Sequence, residues 1–372
     1  MSSDFVTIAG ITGIPINGVA GVPLTLSGAV LPSNATNKTI VYSVMNQGAT
    51  GAVISGNTLT TTGPGTVTVR VTIVNGAAPG TDYTADFSIT ILPSLPVYTM
   101  VQVTGGTVTA SIGASDGPFG NAGTEAVTVN AFSIGETEVP YALWKAVYDW
   151  ATDADRGTKR YTFANLGRQG GNSGTGSVGT NQHPVTEINW RDAVVWCNAY
   201  SEATGKTPVY YLEGTSIFDS TKVLRVSEGG GVDEGAGMAD KAVQNPTADG
   251  FRLPADAEWE YAARGGNPGN ADWSYDYAGS DNADDVAVYG TGQTAAVKSK
   301  NGGNYNGANR LLLYDMSGNV EEFCWDDATA YLERVVRGGG WGDSVLSSLD
   351  FDWGLISPIP EDSAIGFRVA GP

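Results

Sequence analysis

The chain has 372 residues, 41% of them hydrophobic and 16% charged, which marks a globular protein long enough for two domains with separate cores. Its formal net charge of −19, from 20 basic and 39 acidic residues, repels a phosphate backbone and argues against nucleic acid as a partner. One histidine, His183, excludes zinc or iron sites built on several imidazoles, and two cysteines, Cys197 and Cys324, cannot make a disulfide framework.

No apolar run is long enough to span a membrane. The opening Met1-Ser2-Ser3-Asp4 lacks the basic and apolar segments of a secretion signal, so export would need another route or a leader already removed. The acidic balance suits an exported protein and hard cations such as calcium. The 51 glycines announce many loops and tight turns.

Residues 5–92 read as all-β, with strands expected at Phe5–Ala9, Pro23–Ala29, Thr39–Val44, Thr58–Thr61, Thr66–Ile73 and Tyr83–Ile91. Thr66–Ile73 alternates strictly, as a strand with one wet face does. Two N-x-T sequons, at Asn34 and Asn37, lie in a Thr-rich stretch and read as incidental composition. The Pro-punctuated residues 93–96 form a linker, and composition changes after it. All nine tryptophans lie beyond residue 140, where helical periods first appear.

Pro140 opens a helix with an apolar stripe of Leu143, Trp144, Val147, Trp150 and Ala151. Asn189 is placed to cap a second helix, which carries Ala193, Trp196, Cys197 and Tyr200 on one face. Pro254 begins a third, with Asp256 and Glu258 in its first turn and Gly265-Gly266 at its end. Few helices, short strands and long Gly-rich loops make residues 97–372 an α+β domain.

Chemistry-bearing residues are sparse. No G-x-S-x-G elbow brings a serine to His183, which reads as a structural, hydrogen-bonding histidine. Glu258 and Glu260 flank Trp259 at i and i+2, so they point apart and read as solvated or capping charges. Cys197 and Cys324 read as buried inert thiols, with a mutual disulfide as the alternative.

Five blocks in order resemble the formylglycine-generating-enzyme (sulfatase-modifying factor) family. They are Phe132–Trp144, His183–Cys197, Phe251–Gly266, Asp315–Phe323, and Arg334–Trp341 with the ending Ile365-Gly366-Phe367-Arg368. The resemblance implies a variant of the C-type-lectin fold over residues 97–372. The first 92 residues resemble a bacterial Ig-like sandwich, which implies a spacer.

Family membership does not carry the activity with it. The resemblance implies an oxidase served by two cysteines, and Asp343 and Ser348 stand at those positions here, so no thiolate is there to hold copper or act as a nucleophile. With no catalytic residue assigned, the chain reads as a non-enzyme without copper, zinc or iron. The resemblance also implies a calcium turn, with carboxylate oxygens from Asp315 and Glu322 and carbonyl oxygens from Gly318 and Val320. The family's usual tryptophans are replaced in this turn by Glu321 and Phe323.

The segment 341–365 keeps the family's frame, including Pro358 seven residues before Ile365, yet between Trp341 and Ile365 it holds no Asn, Arg, Lys or His. Leu349 and Trp353 stand where arginine is common. This pattern resembles the variable proteins of diversity-generating retroelements, in which adenine-targeted mutagenesis rewrites the C-terminal segment of this fold. It implies a ligand-binding surface of Gly342, Asp343, Ser344, Leu346, Ser347, Asp350, Phe351, Asp352 and Trp353, with aromatic anchors and an adaptable polar rim. The expected partner is a protein or glycan on another cell or host surface, met at a cell or virion surface. A fixed lectin-like adhesion domain and a diverged oxidase-family enzyme are the alternatives.

Overall fold

The computed structural model describes residues 4–108, 126–174, 179–215, 218–228, 237–327, 333–345 and 353–372. They form two compact units. One runs to Leu95 and takes in Asp153–Thr158 and Ala203–Gly205, and the other comprises the remaining residues from Pro96.

The described residues up to Leu95 hold nine strands and no helix. The long strands Gly65–Ala78 and Thr81–Leu92 pair antiparallel and are flanked by Asn17–Val19 and Val41–Asn46 in a four-stranded sheet. Leu24–Thr25, Thr58–Thr60 and Val53–Ser55 make a second sheet, and Gly10–Thr12 pairs with Ala29–Leu31. The alternation is literal: Val67, Val69, Val71 and Ile73 are buried, while Thr68, Arg70 and Thr72 face out. Val67 and Val69 pack with Leu26, Leu59, Ile89 and Ile91, and Val71 and Ile73 with Ile8 and Ile11.

Phe5–Ala9 is not a strand, because its partners are scattered. Ile8 donates to the Gly76 carbonyl and Ala9 to the Leu31 carbonyl, and ladder pairing starts only at Gly10. The expected Pro23–Ala29 strand is split, with pairing at Leu24–Thr25 and again from Ala29.

In the second unit, Met100–Val103, Phe132–Gly135 and Ala370–Gly371 form one sheet, so both ends of the unit meet in it. A second sheet runs Trp353–Ile356, Arg334–Arg337, Glu321–Asp327, Ile365–Gly366. Helices α1 (Tyr141–Ala151), α2 (Trp190–Ala203) and α3 (Asp256–Ala263), the one-turn α4 (Ala283–Val286) and long loops supply the rest of the core.

The aromatic residues of the helical stripes build this core. Trp144 of α1 stacks on Trp196 of α2 at 5.8 Å between centroids, and Phe367 meets both rings edge-on at 6.0 and 5.4 Å. Pro140 sits at the N-cap of α1, one residue before the position expected, and Trp150 is half-buried at the edge of the stripe. Asn189 caps α2: its side-chain oxygen accepts from the Asp192 N–H at 2.9 Å. At α3, Glu258 accepts from the Ala255 N–H and from Arg252.

Glu260 departs from the expected solvated charge. It is buried and pairs with Arg264 and Arg337, because the side of α3 opposite Glu258 faces the strand Arg334–Arg337. Cys197 and Cys324 are buried free thiols, and burial pushes both pKa values up, so neither supplies a thiolate at neutral pH.

Candidate binding face

The two ends of the terminal block are pinned. The Trp341 indole N–H donates to the Ser363 carbonyl at 3.0 Å, and its main-chain N–H donates to the Asn319 carbonyl at 2.8 Å. Gly366 passes so close to its neighbours that a Cβ there would lie 2.8 Å from the Val185 carbonyl oxygen. Phe367 and Arg368 are fully buried. Arg368 pairs with the equally buried Glu322 through Nη2 and, at 2.6 Å, through Nε, while Trp259 donates to the same carboxylate at 2.7 Å. Two further guanidinium hydrogens go to the carbonyls of Gly135 and Tyr314, so each nitrogen of the buried cation has a partner.

Between these ends the environment changes. Gly342 and Ser344 are exposed, and a Cβ added at Gly342 would meet nothing within 4 Å. Asp343 is half-buried. Its side chain accepts from the Gly340 N–H at 2.8 Å and its carbonyl accepts from the Gly290 N–H at 2.9 Å, a turn-stabilising role with no reactive partner. Val345 turns inward against the cluster of Tyr277, Ala283, Val286 and Ala287. Trp353 is half-buried at the start of its strand, in register with Arg337. Leu346, Ser347, Asp350, Phe351 and Asp352 lie outside the described residues, as does Ser348.

Two loops that sequence reasoning did not connect with this segment flank it. Gly171 touches Ser363 so closely that only glycine fits, and the Ser173 N–H donates to Gly292. Thr291 donates through its N–H to the Trp341 carbonyl. Arg168, held by Glu187 and Asn172, stiffens the first loop, and the Glu187 N–H donates to the Asp362 carbonyl at 2.9 Å. The signal for the first loop was its glycine content, which alone does not distinguish a packed loop from a free one.

His183 is buried beside Thr294, with Nδ1 and Oγ1 3.0 Å apart. Burial lowers its pKa, and its surroundings are structural. At the calcium turn, Asp315 is buried with positive φ and accepts from the Lys298 N–H at 2.8 Å, and burial raises its pKa to about 6. Gly318 has positive φ and sits so near Val288 that a side chain is excluded. Val320 donates its N–H to Glu138, and Glu322 is the partner of Arg368.

Glu138 was missed by sequence reasoning. It is a buried carboxylate bridging the side chain of Asn319 and the main chain of Val320, and burial, then Asp315 and Glu322, push its pKa well up. A cation at this turn would share Glu322 with Arg368. Among the described residues no group of three or more His, Cys, Asp or Glu side chains is arranged to hold a metal ion.

The site and its support define a loop-rich α+β domain with sparse sheet, in which a buried aromatic and ion-paired frame presents a terminal segment on a turn. Residues 91–371 match the model of the sulfatase-modifying factor enzyme 1-like domain, and the chain belongs to that family. It is 30% identical over 238 residues to the "Chaperone protein LppX" of Paenibacillus barcinonensis, covering 59% of this chain and 72% of the relative. Two solved structures are similar. CarF matches with a TM-score of 0.58 and 29% identity over 74% of this chain and 98% of that chain. Treponema denticola variable protein 1 matches with a TM-score of 0.52 and 28% identity over 74% of this chain and 95% of that chain.

Proposed function

We propose that this protein is a non-enzymatic ligand-binding display protein whose C-terminal segment is a diversified binding surface. The observation that carries the reading is the contrast within one short block. Trp341, Ile365, Phe367 and Arg368 are buried, whereas Gly342 and Ser344 between them are exposed. A fold tolerates wholesale replacement only where side chains do not pack the core. Similarity to a variable protein over nearly that whole chain adds support.

Asp343 and Ser348 in place of the family's cysteines remove the oxidase nucleophile and its soft metal ligands. The purified protein is therefore expected to convert no cysteine of a sulfatase-type peptide to formylglycine, and product above a no-protein control by mass spectrometry would contradict this. The partner is a protein or glycan on another cell or host surface, and the protein is displayed at a cell or virion surface. No described helix is long and apolar enough to cross a membrane.

The all-β residues 1–92 serve as an Ig-like spacer joined by residues 93–96 to the binding domain. Calcium binds the 315–322 turn through hard oxygens. The test of diversification is in the flanking DNA: a reverse-transcriptase gene and a near-copy of the terminal repeat are expected. Their absence, with an invariant segment among close relatives, would leave a fixed adhesion domain.

A further inference from the structure

A cleft of about 570 Å³ opens beside the hairpin of Gly106–Val108 and Val127–Val129, and it shares no lining residue with the terminal segment. The turn at Thr104–Thr107 forms one wall. The chain leaving α3, from Gly265 to Asn270, forms another, and Arg310 and Leu311 close the end. Glycines cut it. A Cβ on Gly106 would lie 2.5 Å from the Tyr261 hydroxyl and fill the floor, while Gly265 and Gly266, both with positive φ, turn the chain away from α3.

The lining mixes polar and apolar surface, and its one charged side chain, Arg310, is paired outside the cleft. Arg310 donates through Nη1 to Asp272 and to the Tyr305 hydroxyl, both at 3.2 Å, so its charge is matched by Asp272. Its Nε and Nη2, the side-chain amide nitrogen of Asn267 and the side chain of Asn270 make no hydrogen bond to a described residue. Leu311, Pro268, the Tyr261 ring and the lining glycines supply apolar surface beside these groups.

A wholly apolar ligand would leave the hydrogen-bonding groups of Arg310, Asn267 and Asn270 unmatched. An anion would meet a single, already paired arginine in a protein of net charge −19. A ligand with many neutral hydroxyls matches the forked guanidinium and two carboxamides. The volume is within the range of roughly 300–1,000 Å³ typical of small-molecule sites.

We propose that this cleft is a second binding site, for a neutral mono- or disaccharide. Ligand-observed NMR on the full chain, with lactose, maltose, cellobiose and diacetylchitobiose each at about 5 mM, is expected to show saturable binding of at least one. Asn270→Leu and Arg310→Met change exposed or half-exposed side chains and should leave the chain folded, with a small drop in melting temperature only for Arg310→Met, which gives up its pair with Asp272, while weakening binding about tenfold or more. Paired substitution of Gly342 and Ser344 should leave saccharide binding intact.

No binding of any of the four sugars would overturn the proposal. So would affinity unaffected by both cleft variants, competition by inorganic phosphate, or loss of binding on changing Gly342 and Ser344. The last result would assign the sugar to the terminal face instead.

Discussion

The frame and the interior of the terminal block are adjacent in sequence and opposite in physical character. Phe367 meets two tryptophan rings, and Arg368 spends its hydrogen bonds on Glu322 and two carbonyls, with both side chains fully buried. Gly342 and Ser344 touch solvent, and a side chain added at Gly342 would meet nothing. The difference teaches that one short stretch can carry both the fold's costliest contacts and its most replaceable positions, provided the two sets are divided by pinned turns such as Trp341 and Gly366.

The largest effects should come from the frame. Arg368→Met leaves Glu322 buried without its cation and is expected to cost about 3–5 kcal/mol in urea denaturation. Phe367→Ala removes a fully buried ring and should cost a similar ~3–5 kcal/mol. Frame variants that unfold no more readily than wild type would erase the distinction.

The proposed calcium turn sharpens the same contrast, because Glu322 and Asn319 join it to the frame through Arg368 and Trp341. At calcium concentrations near 100 times Kd, binding should stabilise the fold by about 2.7 kcal/mol, lost on chelation. Asp315→Ala should abolish the difference between chelated and loaded protein. Identical melts with and without chelator would leave this stretch as a plain turn held by Arg368.

A smaller effect is expected at His183. Its pKa is lowered by burial, so the fold prefers the neutral ring. Between the depressed folded pKa and the ordinary value near ~6.5, the unfolded chain binds more protons, and stability rises with pH across that window. It is the only histidine, so one imidazole resonance reports it. A titration midpoint below that of a model peptide is expected, and His183→Gln should flatten this part of the pH dependence. A midpoint at or above the peptide value would contradict the buried neutral ring.

Much of this was legible in the sequence. Strict alternation at Thr66–Ile73 and the stripe of α1 are periodic patterns that burial reproduces, and Asn189 is a cap that local chemistry dictates, whereas α2 is buried on every side from Trp190 to Ser201 and not on one face alone. Less was legible where partners are remote in sequence. Glu260 and Glu138 look like ordinary surface acids, and only folding sets them against Arg337 and Asn319. Phe5–Ala9 has strand composition but finds its hydrogen bonds one at a time, a matter of tertiary placement. The loop at Gly171–Gly174 is equally opaque, since its fit against Ser363 depends on a contact nearly two hundred positions away in the chain.

The smallest effect belongs to the interior. Gly342→Ala and Ser344→Ala, alone or together, should shift stability by no more than about 0.5 kcal/mol. A larger loss would mean that these side chains support the turn and are not free for display.

The central claim is tested most directly by randomising Gly342, Asp343, Ser344, Leu346, Ser347, Asp350, Phe351, Asp352 and Trp353 together, with the frame untouched. The library is then sorted for protease resistance and for binding to an unrelated protein target. The account predicts that most members stay folded and that binders to the new target emerge. A library in which most members unfold, with survivors returning to the original residues, would contradict it.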